Sequence, residues 1–446
     1  MASNPEQVSE TKKSSKYIKH FITNIRYPYA KTWDKHNTHV EFEIANVNTS
    51  TVNAIRRLMI SSVKTIGIRT EPYTACDIKF IHNDSPLHNQ LTAHRISMIP
   101  FNIAKPEEFD VDDYLFIINV SNNTNSIMSI TTEDFQIKKI SINKMLSKDE
   151  VKKIFPPDPI TGDYILLNKL RPKYFVPSKN VSNDVVSEMN KEFNKLTTGE
   201  DVMNFHVECK ASISNGAENG HYSPVAIASY INTVDPDKAV FALKEYIDKQ
   251  NESAKLKNVT PMTPEQLTKR FELTERARSF YINEKEEPNV FTFKIETVGV
   301  IPPLIIFHRA ITILKDKISN FVVNLMSKNE NIITIRSSHQ LNGGFDIIVK
   351  DEDDTLGNIV QSHLCMLYAD YGIPKEQRKL TYIGYKRPHP LENHIIFAIQ
   401  GITDNQDELL TTIVKPGCLE IIKMLNKIQN ELESTGQFIN ELKMIG

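Results

Sequence analysis

Cysteine is scarce: four residues in 446, at positions 76, 209, 365 and 418. No two stand at C-x-x-C spacing, so the thiols read as reduced and intracellular rather than as a disulfide framework or redox pair. Long apolar runs are missing as well. The best candidate, "VGVIPPLIIF", is split by Pro302 and Pro303 and falls short of the roughly 18 apolar residues of a membrane span. The opening "MASNPEQVSETKKSSKYIKH" has no apolar core of the secretory kind. Charge of one sign is also lacking, since 53 basic residues face 55 acidic ones for a net −2. No overall field draws the chain to nucleic acid or an anionic membrane, so binding must rest on local patches. Phosphate cradles are absent: "GAENG", Gly216 to Gly220, lacks the lysine-hydroxyl ending and reads as a loop. The acidic run "DVDDY", Asp110 to Tyr114, reads as a solvated loop rather than a cation site.

What is present is ordinary globular composition, 40% hydrophobic and 24% charged, with length for two or three domains. "HVEFEIANV", His39 to Val47, alternates as a strand, and a helix follows with Ser50 or Thr51 as N-cap and Gly67 as its end. Ile55, Leu58 and Met59 give it an apolar face, while Arg56 and Arg57 point elsewhere. Some three hundred residues later "EDDTLGNIVQSHL" echoes "NTSTVNAIRRLMI": each places a hydroxyl three residues before an asparagine, Ser50 before Asn53 and Thr355 before Asn358. Long amphipathic helices close both stretches. Leu314, Ile318, Phe321 and Leu325 repeat at four, three and four, as do Ile421, Leu425, Ile428 and Leu432.

Two strand–helix openings with two closing helices describe a duplication whose apolar stripes cover one another in a pseudo-symmetric pair. The fold class expected is α+β, two sheet-plus-helix units joined through a four-helix seam. Ile55, Leu58, Leu314, Ile318, Phe321, Leu325, Leu356, Asn358, Ile421, Leu425, Ile428 and Leu432 form that seam. Short strands and the prolines at 156, 157, 159, 172 and 177 mark a mainly β insert. The expected division is a disordered tail at 1–15, a larger dimerisation domain at 16–70 with 230–326, an insert at 71–229, and a smaller dimerisation domain at 327–446. Between them the second unit restarts with strand "FDIIVKD", a helix capped by Thr355 and Asn358, strands "KLTYIGYK" and "HIIFAIQG", and a closing helix from about Gly417.

Several segments resemble the alpha-type assembly subunits of DNA-directed RNA polymerases. "NAIRRLMISS" is similar to the first helix of the bacterial alpha N-terminal domain, of the third-largest subunit of eukaryotic polymerase II and of its archaeal counterpart. "LTAHRISMIPF", "HYSPVAIASY" and "IETVGVIPP" resemble further segments of the same subunit, in the same order. "DDTLGN" and "GYKRPHPLENHIIFAIQ" resemble the small partner, the eleventh subunit of polymerase II and subunit L of archaea. Normally separate chains, the two are fused here, an arrangement like that of large DNA viruses of eukaryotes.

The resemblance implies a noncatalytic platform for transcription that docks the second-largest and largest polymerase subunits and small adaptor subunits. It implies no sequence-specific nucleic acid, no membrane and no cofactor. The location expected is intracellular: host cytoplasm and virion if viral, otherwise nucleus. Asn53, Arg56 and Arg57 fall on the helix face that the family turns toward a large subunit, with His94, Arg95, Ser223 and Pro224 as further contacts. Guanidinium groups suit such contacts through planar, multi-donor bonds, although solvated charges beside a core helix would look the same in sequence. Gln361 and Ser362 replace the arginines in the second copy, so the charged contact is expected on one side only. Some relatives carry a zinc loop of four cysteines that this chain lacks. Cys76, His82, His88, His94 and Cys209 offer no ligand spacing, and zinc is not expected. The alternative from another class is a small-molecule enzyme using His94 or His221, for which no nucleophile–base spacing is present.

Overall fold

The computed structural model describes residues 20–32, 34, 37–124, 126–171, 187, 203–257, 260–338, 340–370, 372–403 and 405–445. The tail expected at 1–15 lies outside them. The chain opens with β1 (Ile22–Arg26) antiparallel to β2 (His39–Ala45), then α1 (Thr49–Ser61) and β3 (Lys64–Gly67). The cap of α1 is Asn48, not Ser50 or Thr51. Its side chain accepts the Thr51 amide, satisfying one of the unpaired donors of the first turn. Nor does the helix run to Gly67, which sits in β3, where an added Cβ would press on the Tyr222 ring at 2.8 Å.

The insert comprises β4 (Ile78–Asn83), α2 (Asn89–Ser97), β5 (Tyr114–Asn122), β6 (Met128–Thr131), β7 (Phe135–Lys139), β8 (Lys144–Met145), α3 (Lys148–Ile154), β9 (Leu166–Leu170), β10 (Met203–Cys209) and β11 (Ser212–Asn215). Its main sheet runs β4-β10-β5-β7-β8 over a core of its own that includes Phe101, Phe116, Phe135 and Phe155. That core begins at Ile66, because β3 pairs with β11.

The first unit resumes with β12 (Val225–Asn232), earlier than residue 230, followed by α4 (Pro236–Leu256), α5 (Pro264–Thr274), β13 (Val290–Thr297) and α6 (Pro303–Met326). The second unit contains β14 (Ile333–Ser337), β15 (Phe345–Lys350), α7 (Asp354–Leu364), β16 (Leu380–Lys386), β17 (His394–Gly401), α8 (Lys415–Glu433) and α9 (Gly436–Ile445). A helical turn and a π-turn, Gln406–Leu409 and Leu410–Val414, lead into α8. Both sheets are antiparallel and share one order, β1-β2-β13-β12 and β14-β15-β17-β16. In each the first strand is an edge, the helix follows the second, and the fourth inserts beside the second. The edge strands β1 and β14 and the last helix α9 were not expected from the sequence.

One continuous core joins the two units. Ile55 and Leu58 of α1, Leu314, Ile318, Phe321 and Leu325 of α6, Leu356 of α7, and Ile421, Leu425, Ile428 and Leu432 of α8 are all buried in it. Asn358 is half-buried and lies outside this apolar set. Gly357 lets the Tyr385 ring lie against α7 where a Cβ would collide with it. The entrance of β1 is tied in as well. Glu431 of α8 accepts the Phe21 and Ile22 amides at 2.8 and 3.3 Å, bonding the second unit to the entrance of β1.

Candidate functional site

Helices α1 and α7 pack antiparallel, the start of each beside the end of the other, and polar side chains bridge them. Asn48 Nδ2 donates to Ser362 Oγ at 3.2 Å. Thr51 Oγ1 and His363 Nε2 lie 2.9 Å apart, both residues buried. Arg57 donates from Nε to Thr355 Oγ1 at 2.9 Å and from Nη2 to Asp353 Oδ2 at 3.1 Å. Asp353, not Thr355 or Asn358, is the N-cap of α7, accepting the Thr355 amide at 3.0 Å. Next to it Glu352 takes the Lys317 ammonium of α6 at 2.8 Å.

Burial dominates the electrostatics. It pushes the His363 imidazole down to about 4, so the ring is neutral at pH 7. It also works to raise the Asp353 carboxyl, but hydrogen bonds from Thr355 and Arg57 outweigh it and hold that group below its usual range. Glu352 shifts upward, because its burial exceeds what Lys317 returns.

Arg57 therefore spends donors across the seam, although its side chain stays 39% exposed. Arg56 turns the other way, with Nε donating to Asn53 Oδ1 one turn back at 3.0 Å. Ile60, 37% exposed, continues the same outer stripe. At the start of α1, Asn48, Ser50 and Asn53 of the first copy and Asn358, Gln361 and Met366 of the second line a polar groove of about 490 Å³.

The insert residues separate in the same manner. Arg95 donates to the Leu167 and Leu166 carbonyls at 2.8 and 2.6 Å, fastening α2 to β9. Pro224 is buried and its carbonyl accepts the Val298 amide, so it is a packing residue rather than a surface contact. Ser223 is half-buried and bonds the Val225 carbonyl, while His94 is exposed. His221 rests on Tyr222 with ring centres 4.0 Å apart, and burial lowers its pKa. Of the thiols and imidazoles weighed for zinc, Cys209 is buried, its thiol pushed up by desolvation, and His82 bonds Asp84 at 2.9 Å. Among the described residues no group of three or more His, Cys, Asp or Glu is placed to hold a metal ion.

Two copies of one sheet-and-helix unit, paired through α1, α6, α7 and α8, match known proteins at both ends. Residues 41–318 match the family described as RNA polymerase Rpb3/Rpb11 dimerisation domain, and residues 345–431 match a second family of the same description. The chain belongs to this family. It is an alpha-type RNA polymerase subunit, a noncatalytic kind, carrying both members of the pair. A conjugation stage-specific protein of Tetrahymena thermophila is 24% identical over 330 residues, 65% of this chain and 92% of its own length. The DNA-directed RNA polymerases I and III subunit RPAC1 of Saccharomyces cerevisiae is 24% identical over 297 residues, 62% of this chain and 81% of its own. The DNA-directed RNA polymerase subunit Rpo3 of Methanosphaera stadtmanae is 21% identical over 316 residues, 67% and 98% respectively. No helix among the described residues is long and apolar enough to cross a membrane.

What sequence reasoning missed at this site is Asp353 and His363. The signal for Asp353 was present, an acidic residue just before an apolar-spaced helix. His363 carried none, since its partner stands 312 positions away.

Proposed function

We propose that this chain is the assembly platform of a multisubunit DNA-directed RNA polymerase and that the outer stripe of α1 docks the second-largest subunit. The largest subunit and small adaptor subunits are the other partners in this reading, the setting is intracellular, and no cofactor is required. The observation that carries it is the split between the two arginines. Arg57 gives its donors to α7 within the pair, whereas half-buried Arg56 is aligned by Asn53, a residue that shares a stripe with exposed Ile60 and also lines the polar groove. A guanidinium held in orientation loses less entropy on meeting a carboxylate or a row of carbonyls.

The test is co-expression with the cognate second-largest subunit and affinity capture of the complex. Arg56→Ala should weaken capture by about 2 kcal/mol, the size of a desolvated interfacial arginine, while the melting temperature of the isolated chain stays unchanged. Full capture by the Arg56→Ala chain removes α1 from the docking surface.

A further inference from the structure

We propose that the polar contacts between α1 and α7 form a pairing code, which admits a first unit against a second unit and rejects either unit against its own kind. Counted from their caps, Asn48 and Asp353, the two helices place corresponding residues at the contact: Thr51 with Leu356, Arg57 with Ser362, Leu58 with His363. An antiparallel pair related by an approximate twofold makes each contact twice. The cap-to-far-end contact is Asn48 with Ser362 on one side and Asp353 with Arg57 on the other. The inner contact is Thr51 with His363 on one side. Its mirror positions are Leu356 and Leu58, both in the apolar core.

At each contact the two copies thus differ in complementary ways. Two second units together would set His363 against Leu356 twice, leaving two buried imidazoles without a hydrogen-bond partner, and would face Asp353 with a serine. Two first units would set Arg57 against Asn48 twice, with no carboxylate for either guanidinium. Thr51 would keep its own bond to Asn48 at 2.7 Å and lose only its second partner. Unpaired buried polar groups and unmatched charges are the ordinary means by which proteins reject wrong partners. The need is plain in a fused chain, because the first unit leaves the ribosome before its partner exists and neighbouring nascent chains expose the same α1 face.

The inference rests on the seam geometry alone and is tested on the isolated full-length chain, so it stands or falls separately from docking. One variant gives the first unit the second's residues, Asn48→Asp, Thr51→Leu, Arg57→Ser and Leu58→His. Another gives the second unit the first's, Asp353→Asn, Leu356→Thr, Ser362→Arg and His363→Leu. The third combines all eight. Asp and Asn are both strong N-caps, so helix starts survive each exchange. Each fourfold variant should lower the melting temperature by about 5 °C or more, and the eightfold chain should regain most of that loss. If the eightfold chain instead falls by the sum of the two, the residues serve their own surroundings and there is no code. Should the eightfold chain fail to fold, the outer contact alone decides. Asn48→Asp with Arg57→Ser, Asp353→Asn with Ser362→Arg, and their combination leave the buried leucines in place; recovery in the combined chain supports the code, and additive loss overturns it.

Discussion

Arg56 and Arg57 are adjacent and chemically identical, yet helical geometry turns them roughly 100° apart and gives them separate work. Arg57 joins the cap of α7, whose carboxylate already holds the Thr355 amide and hydroxyl. Its side chain is 39% exposed and that of Asp353 40%, so water screens the pair. Arg57→Ala should cost about 1 kcal/mol in urea unfolding, and Asp353→Ala about 1–2 kcal/mol because it removes a helix cap as well. A smaller loss for Asp353→Ala than for Arg57→Ala would show that the cap adds little beyond the bonds Arg57 makes. Periodicity in the sequence made the buried face of α1 legible, including Ile55 and Leu58, because that depends only on spacing along one helix. The role of Arg57 was not legible, since its partner lies 296 positions away and direction on a helix names no partner.

At the scale of elements, the closing helices were readable from their four-three-four spacing, and the structure buries every one of the eight apolar residues that define them. Strands β1 and β14 were harder. Each is five residues long at a sheet edge, with a burial pattern too irregular to stand out from a loop. Helix α9 holds on through Phe438, buried in the shared core, and through Glu441, whose partners lie more than a hundred residues away and leave no local signal. The first helical position of α6 is Pro303 and its flanking Pro302 offers no side-chain cap, so the free amides of Leu304 and Ile305 are taken by Glu441 of α9 at 2.8 and 3.3 Å. A glutamate oxygen arriving from 137 residues away caps the longest seam helix. Leu425, fully buried midway along α8, reports on the seam itself. Leu425→Ala should cost about 2–5 kcal/mol in denaturant unfolding, and a loss under about 1 kcal/mol would show that the seam is not where the two units hold together.

Over the whole molecule, two buried titratable groups set opposing dependences on pH. His363 has its folded pKa depressed from 6.5 to about 4 by burial, so the unfolded chain binds more protons between those values. Its contribution is complete above 6.5 and is lost as pH falls toward 4. Glu441 is the reverse: burial lifts it from 4.5 to about 7 against the bonds from Tyr27, Leu304 and Ile305, so the folded chain holds the extra proton. Its contribution is complete below 4.5 and is lost as pH rises through 7. Each spans on the order of 3 kcal/mol, and between 4.5 and 6.5 they offset one another. Glu441→Gln keeps an oxygen for the α6 amides and removes the titration. Its stability relative to the parent chain should therefore climb as pH goes from 4.5 to 7. The paired change Thr51→Leu with His363→Leu should show the opposite slope, a relative stability that falls from pH 4 to 6.5. Melting temperatures of the three chains across that range separate the two groups, and a flat difference curve for either variant would mean that its residue does not titrate there.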